Sequence, residues 1–217
     1  MTIALPGPVL LPATLRRPVA TVTGVAIVVL AVLAARFAGT SSAGRVDLHV
    51  DTVVDPVGAA HMWLVRHAME LGSPPAVVLL AFLLAGVCLA LGRRRLALLA
   101  IAGPGITGLA TTALKPLIGR TIDDSFAFPS GHTGGSTSLG LVTALLVISL
   151  AHPGRPVSLL LIAAGALLAG GGVGFAMVAL DAHYPTDTVG GFCTAVTVVL
   201  GSALALDRLG GRRDGTY

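Results

Sequence analysis

Six separate stretches of this 217-residue chain, 18–38, 75–92, 96–114, 134–151, 157–179 and 187–206, are apolar over the length of a bilayer core. Crossing the roughly 30 Å of hydrocarbon takes about 20 helical residues. A helix satisfies every backbone N–H and C=O within its own segment, so it is the form such stretches take in lipid. Charged residues make up 11% of the chain, where a soluble domain carries about a quarter. The expectation is an all-α polytopic membrane protein with six transmembrane helices. The third and fifth stretches hold several glycines and polar residues, and their ends are the least sharply marked.

Charge then orients the bundle. Nine arginines, Arg16, Arg17, Arg93, Arg94, Arg95, Arg155, Arg208, Arg212 and Arg213, flank the spans on one side if six spans alternate. Arg36, Arg45, Arg66, Lys115 and Arg120 fall on the other. Basic residues concentrate on the cytoplasmic side. Both termini are therefore expected inside and the connections 39–74, 115–133 and 180–187 outside. The same bias accounts for the net charge of +4 without a nucleic-acid partner. The first span lacks a small-residue cleavage site and reads as a retained anchor rather than a signal peptide.

No internal repeat or linker divides the chain. Residues 1–15 and 208–217 read as cytoplasmic tails around a membrane domain over 16–207. In the outer loop 39–74, apolar Val53, Val57, Met62, Leu64 and Val65 are interleaved with Asp51, Asp55, His61, Arg66, His67 and Glu70. That mixture predicts one or two short helices at the outer interface, anchored by Trp63. His49, His61 and His67 match no metal-ligand spacing. Cys88 and Cys193 both fall inside spans, as packing residues rather than a disulfide or metal pair.

The polar residues at the outer ends of the spans carry the chemistry, because ionisable groups in a membrane are costly. Lys115, the single lysine, closes the third span in L-K-P-L-I-G-R, which ends at Arg120. Ser130, Gly131 and His132 open the fourth in F-P-S-G-H-T. His183 and Asp187 open the sixth in H-Y-P-T-D. An aspartate four residues after a histidine can accept its Nδ1 proton and leave Nε2 free to attack. A second histidine can protonate a leaving oxygen. A lysine, an arginine, a serine hydroxyl and the amides of a helix N-terminus neutralise a phosphoryl group, and Gly131 lets the backbone approach it. Each residue also has a plainer reading. Lys115 can snorkel, Ser130 can cap the fourth span, Tyr184 and Pro185 can shape a turn, and Gly170, Gly171, Gly172 and Gly174 can permit close helix packing.

K-P-L-I-G-R, F-P-S-G-H-T and H-Y-P-T-D, in this order across six spans, resemble the three motifs of the type 2 phosphatidic acid phosphatase superfamily of membrane lipid phosphatases. The resemblance implies His183 as nucleophile through a phosphohistidine, Asp187 as its orienting partner and His132 as proton donor. It implies Lys115, Arg120, Ser130 and Gly131 as phosphate ligands, and no metal or other cofactor. The implied substrates are lipid phosphates such as phosphatidate and polyprenyl phosphates.

Two departures bear on activity. The family's first motif ends in Arg-Pro, with the arginine two residues beyond Arg120; here those positions are Ile122 and Asp123. Its third motif places Ser-Arg ahead of the histidine; here the pair is Ala176 and Met177. Two phosphate-binding guanidiniums are absent, at about 1.5–3 kcal/mol each if uncompensated. Asp123, Asp124 and Asp181 add negative charge beside the cradle. Three accounts stand open: a substrate less charged at phosphorus, such as a sugar-linked lipid phosphate; acids that pair with Arg120 or Lys115; or a catalytically degenerate lipid-binding or partner subunit, in a homo-oligomer or membrane complex. A metal site is not expected, since His183 and Asp187 have a metal-free role. The composition, with one lysine and abundant Arg, Ala and Gly, suits a GC-rich bacterium. That favours a polyprenyl-linked phosphate of cell-wall synthesis, handled at the extracytoplasmic face of the plasma membrane.

Overall fold

The computed structural model describes residues 9–211. Among these are eight helices: α1 (Ala13–Phe37), α2 (Arg45–Ala60), α3 (Met62–Gly72), α4 (Pro74–Ala90), α5 (Arg94–Ile118), α6 (Gly131–Ala151), α7 (Arg155–Ala179) and α8 (Pro185–Gly211). Five of them, α1, α5, α6, α7 and α8, are long and apolar enough to cross a membrane. A sixth candidate span pairs α3 with the 17-residue α4, the two bent by 65° at Ser73. Ser-Pro-Pro explains the bend, because proline at the start of a helix needs no N–H partner there and cannot continue the helix before it. The connection 39–74 forms α2 and α3, with Trp63 68% exposed. His49 and His67 are exposed on these helices and His61 at the turn between them, where His61 Nδ1 meets the Val57 carbonyl and His67 Nδ1 the Trp63 carbonyl.

Helix α6 is the axis of the bundle: 67% of its span window is buried, against 17% for α1. Small residues let its neighbours approach at backbone distance. A Cβ on Gly140 would overlap the Gly165 carbonyl of α7, and one on Gly134 would lie 2.9 Å from Thr107 of α5 and 3.2 Å from the Gly191 carbonyl of α8. Thr107 and Ser138 share a buried hydrogen bond across the α5–α6 contact. In α7 the glycine run divides. Gly170, in a π-helical turn at Leu167–Gly171, packs on Thr137, and Gly174 packs on Thr188, whereas Gly171 and Gly172 meet nothing within 4 Å and serve no packing contact. Cys88 and Cys193 are buried and unbonded to each other. Apolar side chains such as Val28 and Val32 of α1, Phe82 of α4 and Leu168 of α7 remain exposed, as lipid-facing positions of a polytopic protein do.

The tail expected over 1–15 is shorter where it is described. Leu10 and Leu11 are buried, their amides hydrogen-bonded to Asp207, and α1 starts at Ala13. Residues 1–8, Arg212 and Arg213 lie outside the described residues.

Candidate active site

The site is assembled where α5, α6 and α8 begin or end at one face of the bundle. Helix α5 carries Lys115 in its last turn and stops at Gly119, whose φ of +69° gives the left-handed residue that ends many helices. The chain then makes a minimal hairpin, Thr121–Ile122 against Ser125–Phe126, turning on Asp123 (φ +46°) and Asp124 (φ +59°). Two left-handed residues are what a two-residue primed hairpin turn requires, and Asp is among those that tolerate them. Phe128 follows, wholly buried, with its ring against Gly190 of α8. The Ser130 amide donates to the Asp187 carbonyl, and α6 begins at Gly131. The stretch F-P-S-G-H-T is therefore fastened to the first turns of α8, and a Cβ on Gly191 would overlap the Ser130 carbonyl.

Helix α7 ends in a paired turn: the Asp181 amide donates to Val178 and the Ala182 amide to Met177, with Asp181 left-handed at φ +54°. This is a Schellman closure with aspartate in the place usually held by glycine. It delivers His183, 8% exposed, to the start of α8. Pro185 takes the first helical position, and the Asp187 carboxylate reaches back to the Tyr184 amide at 3.1 Å.

His132, half-buried, lies close enough to His183 and Lys115 for both charges to bear on it, as does Glu70 of α3. Lys115, also half-buried, feels the charge of Asp187. Gly131 also faces Thr111, one turn before Lys115, and the Ser130 amide bonds Asp187, so the three motifs meet in one place. Asp187 Oδ2 stands 3.6 Å from His183 Nδ1, in contact but short of a hydrogen bond, and that nitrogen is buried without a hydrogen-bond partner.

Two residues expected to hold phosphate face elsewhere. Ser130 is fully buried and caps α6, its Oγ accepting from the amide and the hydroxyl of Thr133. Arg120 has no exposed surface. Its Nη1 donates to Thr186 Oγ1 and Asp187 Oδ1, both at 2.6 Å, and its Nη2 to Asp47 Oδ2 at 2.8 Å. Phe37 and Tyr184 lie over the guanidinium at 3.9 and 4.4 Å. Its Nε alone has no partner. As for the added acids, Asp123, Asp124 and Asp181 are exposed residues of left-handed turns, and neither Arg120 nor Lys115 forms an ion pair with any of them within 4.0 Å.

Asp47 is the residue that sequence reasoning missed. It is fully buried at the third position of α2, where its Oδ2 also accepts the Gly44 amide and its Oδ1 the Thr186 amide. Burial pushes its carboxyl up, but the amides of Gly44 and Thr186, then Arg120 and the Thr186 hydroxyl, outweigh that and hold it below the usual range. The spacing of Gly44 and Asp47 marks a helix start, as a capping-box acid does; nothing in it names a distant arginine. Among the described residues no group of three or more His, Cys, Asp or Glu is placed to hold a metal ion.

Residues 109–210, from α5 through the three motifs to the end of α8, match the family model of the PAP2 superfamily. That match supports membership of the PAP2 superfamily. No curated protein and no solved structure matches it. The matched region begins six residues before Lys115, so α1 to α4, with Asp47, lie outside it. At the two positions where the PAP2 motif resemblance leads one to expect arginine, the structure has Ile122 in the hairpin and Met177, 4% exposed, in α7.

Proposed function

We propose that this protein is an integral-membrane lipid phosphatase or phosphotransferase working through a phosphohistidine at His183. The observation that carries the reading is the packing of the three motifs: the Ser130 amide bonds the Asp187 carbonyl, and Gly131, beside His132, faces Thr111, one turn before Lys115. In the forward step His183 Nε2 attacks phosphorus, the bond from phosphorus to the lipid oxygen breaks, and His132 gives that oxygen its proton. A water or acceptor hydroxyl then attacks the phosphohistidine, His132 takes the proton, and the bond from nitrogen to phosphorus breaks. Lys115 and the amide end of α6 neutralise the equatorial oxygens. Asp187 holds the imidazole through Nδ1 once the 3.6 Å gap closes on substrate, since catalytic hydrogen bonds often tighten only in the complex. The substrate on this reading is a lipid phosphate, a polyprenyl-linked one by preference, presented from the outer leaflet of a bacterial plasma membrane.

Phosphate release by the purified protein from a panel of phosphatidate, polyprenyl phosphate and polyprenyl diphosphate tests this. Release by the wild type that vanishes in His183→Ala is the expected result. A second reading has its own observation: Met177 and Ile122 stand where arginines are expected, and Arg120 is shut away from any ligand. A lipid-binding subunit without chemistry would retain lipid in both proteins and release nothing. An impermeant thiol reagent on His183→Cys, with Cys88 and Cys193 removed, reports the side the site faces.

A further inference from the structure

We propose that Arg120 and Asp47 are positioning residues for the His183–Asp187 pair rather than ligands of the phosphoryl group, an inference that rests on the phosphohistidine reading above. A phosphate ligand needs an open face and spare donors. Arg120 has no open face, and its one unpaired donor, Nε, is buried: two carboxylates and a hydroxyl take Nη1 and Nη2, two aromatic rings cover its plane, and no part of it is exposed.

What the guanidinium does control is the carboxylate that faces the imidazole. Arg120 holds Asp187 by Oδ1, leaving Oδ2 to the Tyr184 amide and to His183 Nδ1. Without that grip the Tyr184 amide, at 3.1 Å, would be the one hydrogen bond left to orient the carboxylate. Asp47 in turn fixes the guanidinium. It accepts from Nη2, from the Gly44 amide of its own helix start and from the Thr186 amide at the start of α8. The first turn of α2 is thereby joined to the first turn of α8, directly beside Asp187. Two carboxylates against one guanidinium leave a net negative charge when all three are ionised. That surplus is directed at the ring that must become cationic when Nε2 bonds to phosphorus. A supporting partner of this kind typically changes activity by roughly 10- to 100-fold where it orients a ligating or reacting group.

The experiment uses the full-length protein in detergent, with Asp47→Asn and Arg120→Lys, and follows three quantities. These are kcat and KM on a lipid phosphate, inhibition by orthovanadate as a phosphate mimic, and the ¹⁵N resonances of the His183 ring. Positioning predicts kcat lower by roughly tenfold or more, KM and vanadate inhibition within about threefold of wild type, and altered His183 Nδ1 resonances. Weakened vanadate inhibition and raised KM with kcat retained would make Arg120 a phosphate ligand and overturn the proposal. Unchanged kcat and unchanged His183 resonances would reduce the network to a structural tie and overturn it equally. Asp47→Asn is nearly isosteric and keeps acceptors for the two amides, so it decides the matter if Arg120→Lys does not fold. Should the wild type release no phosphate from any lipid, the phosphohistidine reading fails, and the His183 resonances of Asp47→Asn still decide whether the network positions that ring.

Discussion

Helix α8 buries an aspartate near each end, and the two are used in opposite ways. Asp187 and Asp207 are 20 residues apart, about 30 Å along the helix, and both have almost no exposed surface. Asp207 accepts the amides of Leu10 and Leu11 at 2.8 Å each, with Arg95 at 3.8 Å. Every oxygen has a fixed backbone partner, and the result is a staple between the start and the end of the described chain. Asp187 shares a buried arginine with a second carboxylate and faces an imidazole that it does not reach. Around it two polar atoms, Arg120 Nε and His183 Nδ1, are left without acceptors. Buried polar atoms are nearly always paired, and those that are not tend to mark a working site. The completed network holds the fold; the incomplete one has somewhere to move.

The largest effect should come from the incomplete end. Arg120→Ala leaves Asp47 and Asp187 as two buried carboxylates without their shared cation, and removing one partner of a buried pair costs about 3–5 kcal/mol. Unfolding in detergent measures it. Adding Asp47→Asn should recover part of the loss, because the two sites are coupled; strictly additive losses would mean the three groups do not act as a unit. Next is Gly191→Ala, whose methyl lands on the Ser130 carbonyl. Overpacking of this kind costs about 1–3 kcal/mol. Because it pries F-P-S-G-H-T from α8, phosphate release should fall further than stability. Gly172→Ala, at a position that meets nothing, is the control and should change neither.

The complete end predicts the reverse. Asp207→Ala strands two buried amides and should cost about 1–3 kcal/mol, with kcat on a lipid phosphate unchanged. If activity fell with Asp207 while Arg120 variants kept it, the contrast between the two ends would be inverted.

The bundle was largely legible in the sequence because lipid demands long apolar helices, and such runs identify themselves without tertiary context. The expected spans 18–38, 96–114, 134–151, 157–179 and 187–206 overlap helices long and apolar enough to cross, and 75–92 falls on α4, which reaches that length and hydropathy together with α3. What stayed hidden depends on which distant group a side chain meets. Asp123 and Asp124 looked like charges set against a phosphate, yet a two-residue turn between short strands accounts for them through backbone conformation. Asp181 likewise suggests a charge in the sequence, while its left-handed φ explains its place at the end of α7. Arg120 closes a motif resembling a phosphate site, which points it toward phosphate; its surroundings, Phe37, Asp47 and Tyr184, come only from the fold. Those three partners come from α1, α2 and the turn before α8, and no spacing in the sequence joins them.

Acid offers the finest separation of the two ends. Asp47 has its carboxyl held below the ordinary value near 3.8, with burial opposing and the amides of Gly44 and Thr186 and the Arg120 guanidinium prevailing. A carboxyl depressed in the folded state binds its proton more readily in the unfolded chain. Its contribution to stability is therefore complete above the ordinary carboxylate value and lost as pH falls through the lowered one. Between about pH 6 and pH 4 the wild type should keep this contribution, and below about pH 4 it should lose stability as Asp47 takes up its proton. Asp47→Asn has no proton to take up there. Its unfolding free energy should start lower at neutral pH and fall less steeply below pH 4, so that the two curves approach one another in acid. Asp207→Asn serves as the comparison at the other end. Parallel curves for wild type and Asp47→Asn through that window would show that the Asp47 carboxylate is not preferentially ionised in the fold, and the charge balance drawn around Arg120 would have to be redrawn.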